Sequence, residues 1–141
     1  MKARTFTVPF SKVVGDDATE LEFGPDDHLV VRPLFSLSAV EVRAVQRRIE
    51  DFEAKPAKAQ EIEDLAKRQD ALDALNTEAG ELILSLMDIA VRGWSLEGES
   101  GPIPRPTTVE ALDDLPAAVR GGLYGWLVNY RGEDPHPTRL S

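Results

Sequence analysis

Three groupings of side chains in this chain have residue types that could do chemistry. His28 follows Asp26 and Asp27, an imidazole beside two carboxylates, which are ligand types for zinc or another divalent ion. Three adjacent residues in a turn do not converge on one ion without help from elsewhere, and the second histidine, His136, stands in the C-terminal tail. Gly98-Glu99-Ser100-Gly101 begins like the G-x-S-x-G elbow that presents a nucleophilic serine. Pro102 replaces its final glycine and no strand pattern precedes it, so the stretch reads as a loop. Asp113-Asp114 and the Glu61 and Asp64 pair offer two carboxylates each, but they read as helix ends and solvated faces. Neither a P-loop nor a G-x-G-x-x-G fingerprint occurs. The expectation is a protein with no catalytic residues, no metal and no cofactor.

Composition narrows the partners. Hydrophobic residues make up 42% and charged residues 29%, which is the balance of a globular protein, and 141 residues suit one domain with its own core. Apolar runs are far shorter than a membrane span, and MKARTFTVPF lacks the apolar region of a secretory signal. Without cysteine there are no disulfides or thiolate metal sites. The formal charge of -9 is unevenly placed. Asp16, Asp17, Glu20, Glu22, Asp26 and Asp27 stand together without a base, whereas Glu41 to Arg68 mixes both signs. Nucleic-acid binding needs clustered Lys or Arg against phosphate, and no such cluster occurs. Protein is the expected partner; nucleic acid and membrane are not.

The elements that would position a partner site follow from periodicity. Phe6, Val8 and Phe10 alternate with polar residues or proline, Leu21 and Phe23 flank Glu22, and Leu29-Val30-Val31 is a short apolar run. These predict short strands joined by turns at Gly15-Asp16-Asp17 and Gly24-Pro25-Asp26-Asp27, with Pro9 and Pro33 at an edge or strand end. Ser38 and Glu41 form a capping box, and Val42, Val45, Ile49 and Phe52 then draw one apolar stripe to about Glu53. Pro56 interrupts it. A longer helix is predicted from about Ala57 to Val91, where Leu65, Leu72, Ala79 and Leu86 recur at heptad spacing beside Leu75, Leu82 and Ile89. Arg68 and Gly80 weaken the first part of that seam, which either this chain or a partner chain must cover.

After Arg92 the periodicity stops, and Gly98, Gly101, Pro102, Pro104 and Pro106 predict an extended loop. Thr107-Thr108-Val109-Glu110 is a second capping box, opening a short helix to Asp113 or Asp114. Pro116 suits the first turn of a last helix, with Val119, Leu123, Trp126 or Leu127, and Tyr130 along one side. Gly121 and Gly125 are spaced to admit a close neighbour. Gly132, Pro135 and Pro137 end the helix. The predicted fold is α+β, mainly α: a small N-terminal antiparallel β cap over 1–35, then a body over 36–131 made of a helical hairpin and two short C-terminal helices, then a flexible tail over 132–141.

The stretch from Trp94 to Tyr130 resembles the tail assembly chaperones of long-tailed, siphovirus-like bacteriophages. There a tryptophan leads through a Gly- and Pro-containing loop to a threonine-capped helix and a leucine-proline step. The matching residues are Trp94, Leu96, Gly101, Pro104, Thr107, Glu110, Leu112, Leu115 and Pro116, about a third of the chain. The resemblance implies a non-enzymatic, largely helical, self-associating protein that coats the tape measure protein, keeps it soluble and recruits tail tube subunits before leaving. It would act in the cytoplasm of the infected bacterium and be missing from the mature virion. Such proteins are often made in two lengths through a ribosomal frameshift, and this length suits the shorter. The expected partner-binding residues are Trp94, Leu96, Ile103, Leu123, Trp126, Leu127 and Tyr130, the alternative for each being a place in the core. The competing expectation is a structural tail component, a terminator or connector subunit that stays in the particle.

Overall fold

A computed structural model describes residues 5–15, 21–32 and 36–129. Asp16, Asp17, Glu20, Pro33, Tyr130 and the 132–141 tail lie outside the described residues, and so do the expectations that fall on them. The N-terminal alternation pairs as predicted. β1 (Phe6–Pro9) runs antiparallel to β2 (His28–Val31), with Val8 opposite Leu29 and both fully buried. Pro9 closes β1, an edge strand, where its missing amide costs no ladder bond.

The third strand was not expected. β3 (Val91–Ser95) pairs antiparallel with β2 and completes the order β1-β2-β3, so the sheet joins the N-terminal strands to one that follows α4. Gly93 stands opposite Val30, whose Cγ2 would lie 3.0 Å from any added Cβ. The glycine that hides the strand pattern is what lets the backbones approach.

Two strand expectations fail. Phe10 does not continue β1 but opens α1 (Phe10–Val14), its amide donating to the carbonyl of Asp27 at 3.0 Å. Leu21 to Phe23 packs against the core without pairing, held by a turn in which the Asp27 amide donates to Gly24 at 3.1 Å.

α2 (Ala39–Glu53) starts at the predicted capping box, with both of its hydrogen bonds formed, and leaves Val42, Val45 and Ile49 half-buried and Phe52 buried. The helix predicted from Ala57 is two helices, α3 (Lys55–Gln60) and α4 (Leu65–Ala90). Pro56 sits in the first turn of α3. The amides of Glu61 and Ile62 donate to Lys58 and Ala59, tightening its end, and Asp64 restarts the helix by accepting from the Lys67 amide at 3.0 Å.

The heptad seam is covered by its own chain in its second half, where Leu82, Ile83, Leu86 and Met87 are buried; Leu65 at its start is 70% exposed. Those residues join Phe10, Leu29 and Val31 with Leu112 of α5 (Val109–Asp113) and Val119 and Leu123 of α6 (Ala117–Asn129) in one core. The architecture is α+β and mainly α, with the small sheet lying against the helices.

Two local corrections bear on the C-terminal unit. The cap of α5 is Thr108 alone, accepting from the Ala111 amide at 3.1 Å, so Glu110 falls one place short of the reciprocal position. The close approach on α6 occurs at Gly122, where a Cβ would stand 2.9 Å from the Val13 carbonyl oxygen. Gly121 and Gly125 face open space among the described residues.

Candidate functional site

The unit from Trp94 to Pro116 begins in β3 and continues directly from its end. Trp94 sets its ring edge-on to Phe10, with centroids 5.1 Å apart, and its indole Nε1 donates to the carbonyl of Ile103 at 2.9 Å. Aromatic burial thus comes with a satisfied polar tip. The Ile103 amide donates to Leu96 at 2.8 Å, closing a two-stranded hairpin of β4 (Glu97–Gly98) and β5 (Gly101–Pro102). Gly101, at φ 117, supplies a backbone angle that a side chain resists. The stretch read as an extended loop is therefore a hairpin, and a strand does precede Ser100.

Arg105 carries the chain away from the hairpin by docking on the end of α4. Its Nη2 donates to Met87 at 2.9 Å and its Nη1 to Val91 at 3.2 Å. From the other side, Arg32 Nε donates to Ile89 at 2.7 Å. Two cations thus gather at the C-terminal end of α4, where Ile89 is among the carbonyls that helix geometry leaves open, Met87 also accepts from the Val91 amide, and the helix dipole is negative.

Asp27 is the buried acid of the unit, 3% exposed. Its Oδ2 accepts from the Gly24 amide at 2.7 Å and its Oδ1 from the Glu97 amide at 2.9 Å. An aspartate that the sequence places in an acidic turn is also the brace between that turn and the hairpin. His28 lies in β2, not in a turn, and its Nδ1 contacts the carbonyl oxygen of Asp26 at 2.6 Å. Among the described residues no three His, Cys, Asp or Glu side chains are grouped to hold a metal ion.

Between the turn and the hairpin lies an open cleft of about 860 Å³. Leu21, Phe23, Leu96, Ile103, Pro116 and Val119 give it an apolar lining, and Glu22, Glu97 and Glu99 stand exposed on it. A smaller groove of about 260 Å³ separates α2 from α4, lined by Leu37, Val45, Leu86 and Ile89 among others. Among the described residues no helix is long and apolar enough to cross a membrane.

The expected binding residues divide. Leu96, Leu123 and Leu127 are 5%, 0% and 3% exposed and take the place in the core that was the alternative for each, Leu96 also bordering the cleft. α6 turns its 119, 123 and 127 positions inward, and that row joins the common core of a helix packed on α1, α4 and α5. Trp94 is half-buried and packs in the core; Ile103 is half-buried and reaches the cleft. Trp126 is half-buried one turn beyond Gly122, on the row that approaches α1. Tyr130 lies outside the described residues. No protein-family model, curated protein or solved structure matches the chain.

Sequence reasoning missed Leu21, Phe23, Glu22 and Pro116 as cleft residues and Asp27 and Arg105 as its supports. The signal available for Asp27 was its place at the end of a Gly-Pro turn, where a short acid can accept from backbone amides. Arg105 gave none, since its partners are carbonyls that every residue has.

On the opposite side, Phe52 of α2 meets Tyr124 of α6 edge-on at 6.0 Å. Burial raises the Tyr124 phenol above its ordinary 10.0, and the Glu53 carboxylate adds to that. Three ion pairs form among the described residues, Lys55 with Glu78, Arg105 with Asp88 and Arg120 with Asp113. None involves the cleft acids.

Proposed function

We propose that this chain is a tail assembly chaperone of a long-tailed bacteriophage, a non-enzymatic protein that binds the tape measure protein, keeps it soluble and recruits tail tube subunits. The observation that carries the reading is that the residues of the resemblance lie in one continuous folded stretch and several of them hold it together. Trp94 clips Ile103, Gly101 turns the hairpin, and Leu96, Leu112 and Leu115 are buried beneath it.

Two further features support the reading. A tape measure protein is a long helix with apolar stripes that aggregate until the tube encloses them, so its holder needs apolar surface of its own. The cleft, the α2 to α4 groove and the exposed Leu65 end of α4 offer such surface. The net charge of -9 would keep loaded complexes apart in the infected cell. Among the described residues, Trp94, Ile103 and Trp126 are the members of the expected binding set that keep part of their surface open.

Co-expression with the tape measure protein of the same genome tests the proposal. The expected result is a soluble tape measure that co-purifies with this chain, and mass spectrometry of finished particles should not find the chain. A tape measure equally soluble without it would overturn the reading. A fixed copy number in particles would replace it with a terminator or connector subunit.

A further inference from the structure

We propose that the cleft between the Leu21 to Phe23 segment and the hairpin is a docking site for a short amphipathic helix bearing Lys or Arg beside its apolar anchors. The composition of the cleft supports this whichever protein supplies the helix, so it does not depend on the tail-assembly reading. Leu21, Phe23 and Ile103 pack against the core yet keep part of their surface open, and all three line the cleft. Glu22, Glu97 and Glu99 line it too, and none is in the ion pairs found among the described residues. The pattern joins apolar surface to charge of one sign, which selects a partner segment of the opposite sign.

Size points the same way. The open cleft of about 860 Å³ is of the same order as a short helical segment, one turn of which, about 10 Å wide and 5.4 Å high, occupies roughly 400 Å³. Helix-in-groove recognition uses such a segment, with residues at i, i+3, i+4 and i+7 as anchors. A nucleic acid is disfavoured because phosphates would meet the three carboxylates. A second copy of this chain is disfavoured because, at -9, it brings like charge to like charge.

The site is held open from below. Asp27 fixes one wall to the other through Gly24 and Glu97. Gly98 sits where a Cβ would stand 3.0 Å from Ile103 Cδ1, so its bare backbone lets Ile103 lie against the hairpin. The cleft therefore exists before a partner arrives, which lowers the ordering cost of binding.

The test uses the full chain and a labelled leucine-lysine peptide of about 18 residues, long enough to be helical. A leucine-glutamate peptide and a lysine-glycine peptide serve as comparisons. The expected result is saturable binding of the first peptide at one site, weakened by salt, with both comparison peptides at least about tenfold weaker. The triple variant Glu22→Lys, Glu97→Lys, Glu99→Lys should lose at least about tenfold in affinity for it. Reversal of Glu50, Glu63 and Asp70, exposed acids outside the cleft, makes the same charge change and should cost far less. Phe23→Ala weakens binding without any charge change, and circular dichroism verifies that each variant is folded. Equal losses in the two charge-reversed variants would reduce binding to the net charge and overturn the proposal. An unaffected cleft variant would overturn it too, as would concentration-dependent self-association that the cleft variant abolishes while no peptide binds.

Discussion

The backbone amide of Glu97 donates to Oδ1 of Asp27 at 2.9 Å, joining residues 70 apart in sequence and fastening the hairpin to the N-terminal turn. The same carboxylate accepts from Gly24 through its other oxygen, so one buried acid satisfies two amides on two segments. Hydrogen bonds to a charged group are worth about 1.5 to 3 kcal/mol, and stranding their buried donors adds a penalty. Asp27→Ala should therefore lower the unfolding free energy by about 3 kcal/mol in urea denaturation. Asp27→Asn keeps one acceptor and turns an amide toward the other donor, so it should fall between alanine and the native residue. A loss below about 1 kcal/mol for alanine would show that the brace is dispensable.

Arg105 and Asp88 form an ion pair at 3.5 Å, but Asp88 is 84% exposed, and Arg105 also donates to two carbonyls at the end of α4. The two roles separate by mutation. Exposed pairs contribute about 0 to 1 kcal/mol, so Asp88→Asn should be nearly neutral. Arg105→Met removes the charged donors from Met87 and Val91 and should cost about 2 kcal/mol. Arg105→Lys should recover only part of that, because a point charge cannot span two carbonyls as the planar fork does. Urea midpoints of the three variants decide it. A deficit in Asp88→Asn as large as in Arg105→Met would assign the stability to the pair.

What the sequence made legible was local. The Ser38 capping box, the stripe ending at Phe52 and the edge position of Pro9 rest on interactions within a few residues, and all appear as expected. The failures were long-range. β3 carries a glycine because Val30, far away in sequence, needs the room. The split of the long helix turned on Asp64 choosing to cap and not to continue, a choice that periodicity does not register. Leu123 and Leu127 stood open between a partner surface and the core because an apolar row on a helix does not say whether its own chain or another covers it. The cleft was invisible for the same reason, since its walls are separated by the whole of α2 to α4.

Tyr124 gives the fold a signature at alkaline pH. Its phenol is raised above 10.0 by burial first and by the Glu53 carboxylate second. The folded state therefore holds the proton more tightly than the unfolded chain does. The resulting stability is fully present below the unfolded value near 10.0 and is lost as pH rises through the folded value. In a Tyr130→Phe background, where Tyr124 is the remaining tyrosine, near-ultraviolet absorbance should report a tyrosinate midpoint above 10.0. Glu53→Gln should move that midpoint down only part of the way, because burial is the larger cause. Tyr124→Phe should flatten the alkaline fall in stability relative to the parent. A midpoint at the ordinary value would mean that Phe52 and α2 do not shield the phenol.

α6 contains three glycines whose exchange for alanine should give opposite signs. Gly121 and Gly125 have nothing among the described residues within 4 Å of an added Cβ. Replacing glycine by alanine inside a helix is worth about 0.8 to 1 kcal/mol, so Gly121→Ala should stabilise by an amount of that order. Gly125→Ala should do the same or slightly less, since its carbonyl also accepts from the Asn129 side chain at 2.8 Å. At Gly122 the new methyl would stand 2.9 Å from the Val13 carbonyl oxygen and from Val14 Cα, both backbone atoms that cannot turn aside. Forcing a group into a packed contact costs about 1 to 3 kcal/mol, which exceeds or cancels the propensity gain. Gly122→Ala should therefore destabilise, and it should do so by displacing α1. Because α1 carries Phe10 against Trp94, tryptophan fluorescence of Gly122→Ala in a Trp126→Phe background should shift while Gly121→Ala leaves it unchanged. Stabilisation by all three alanines would show that α1 does not rest on Gly122.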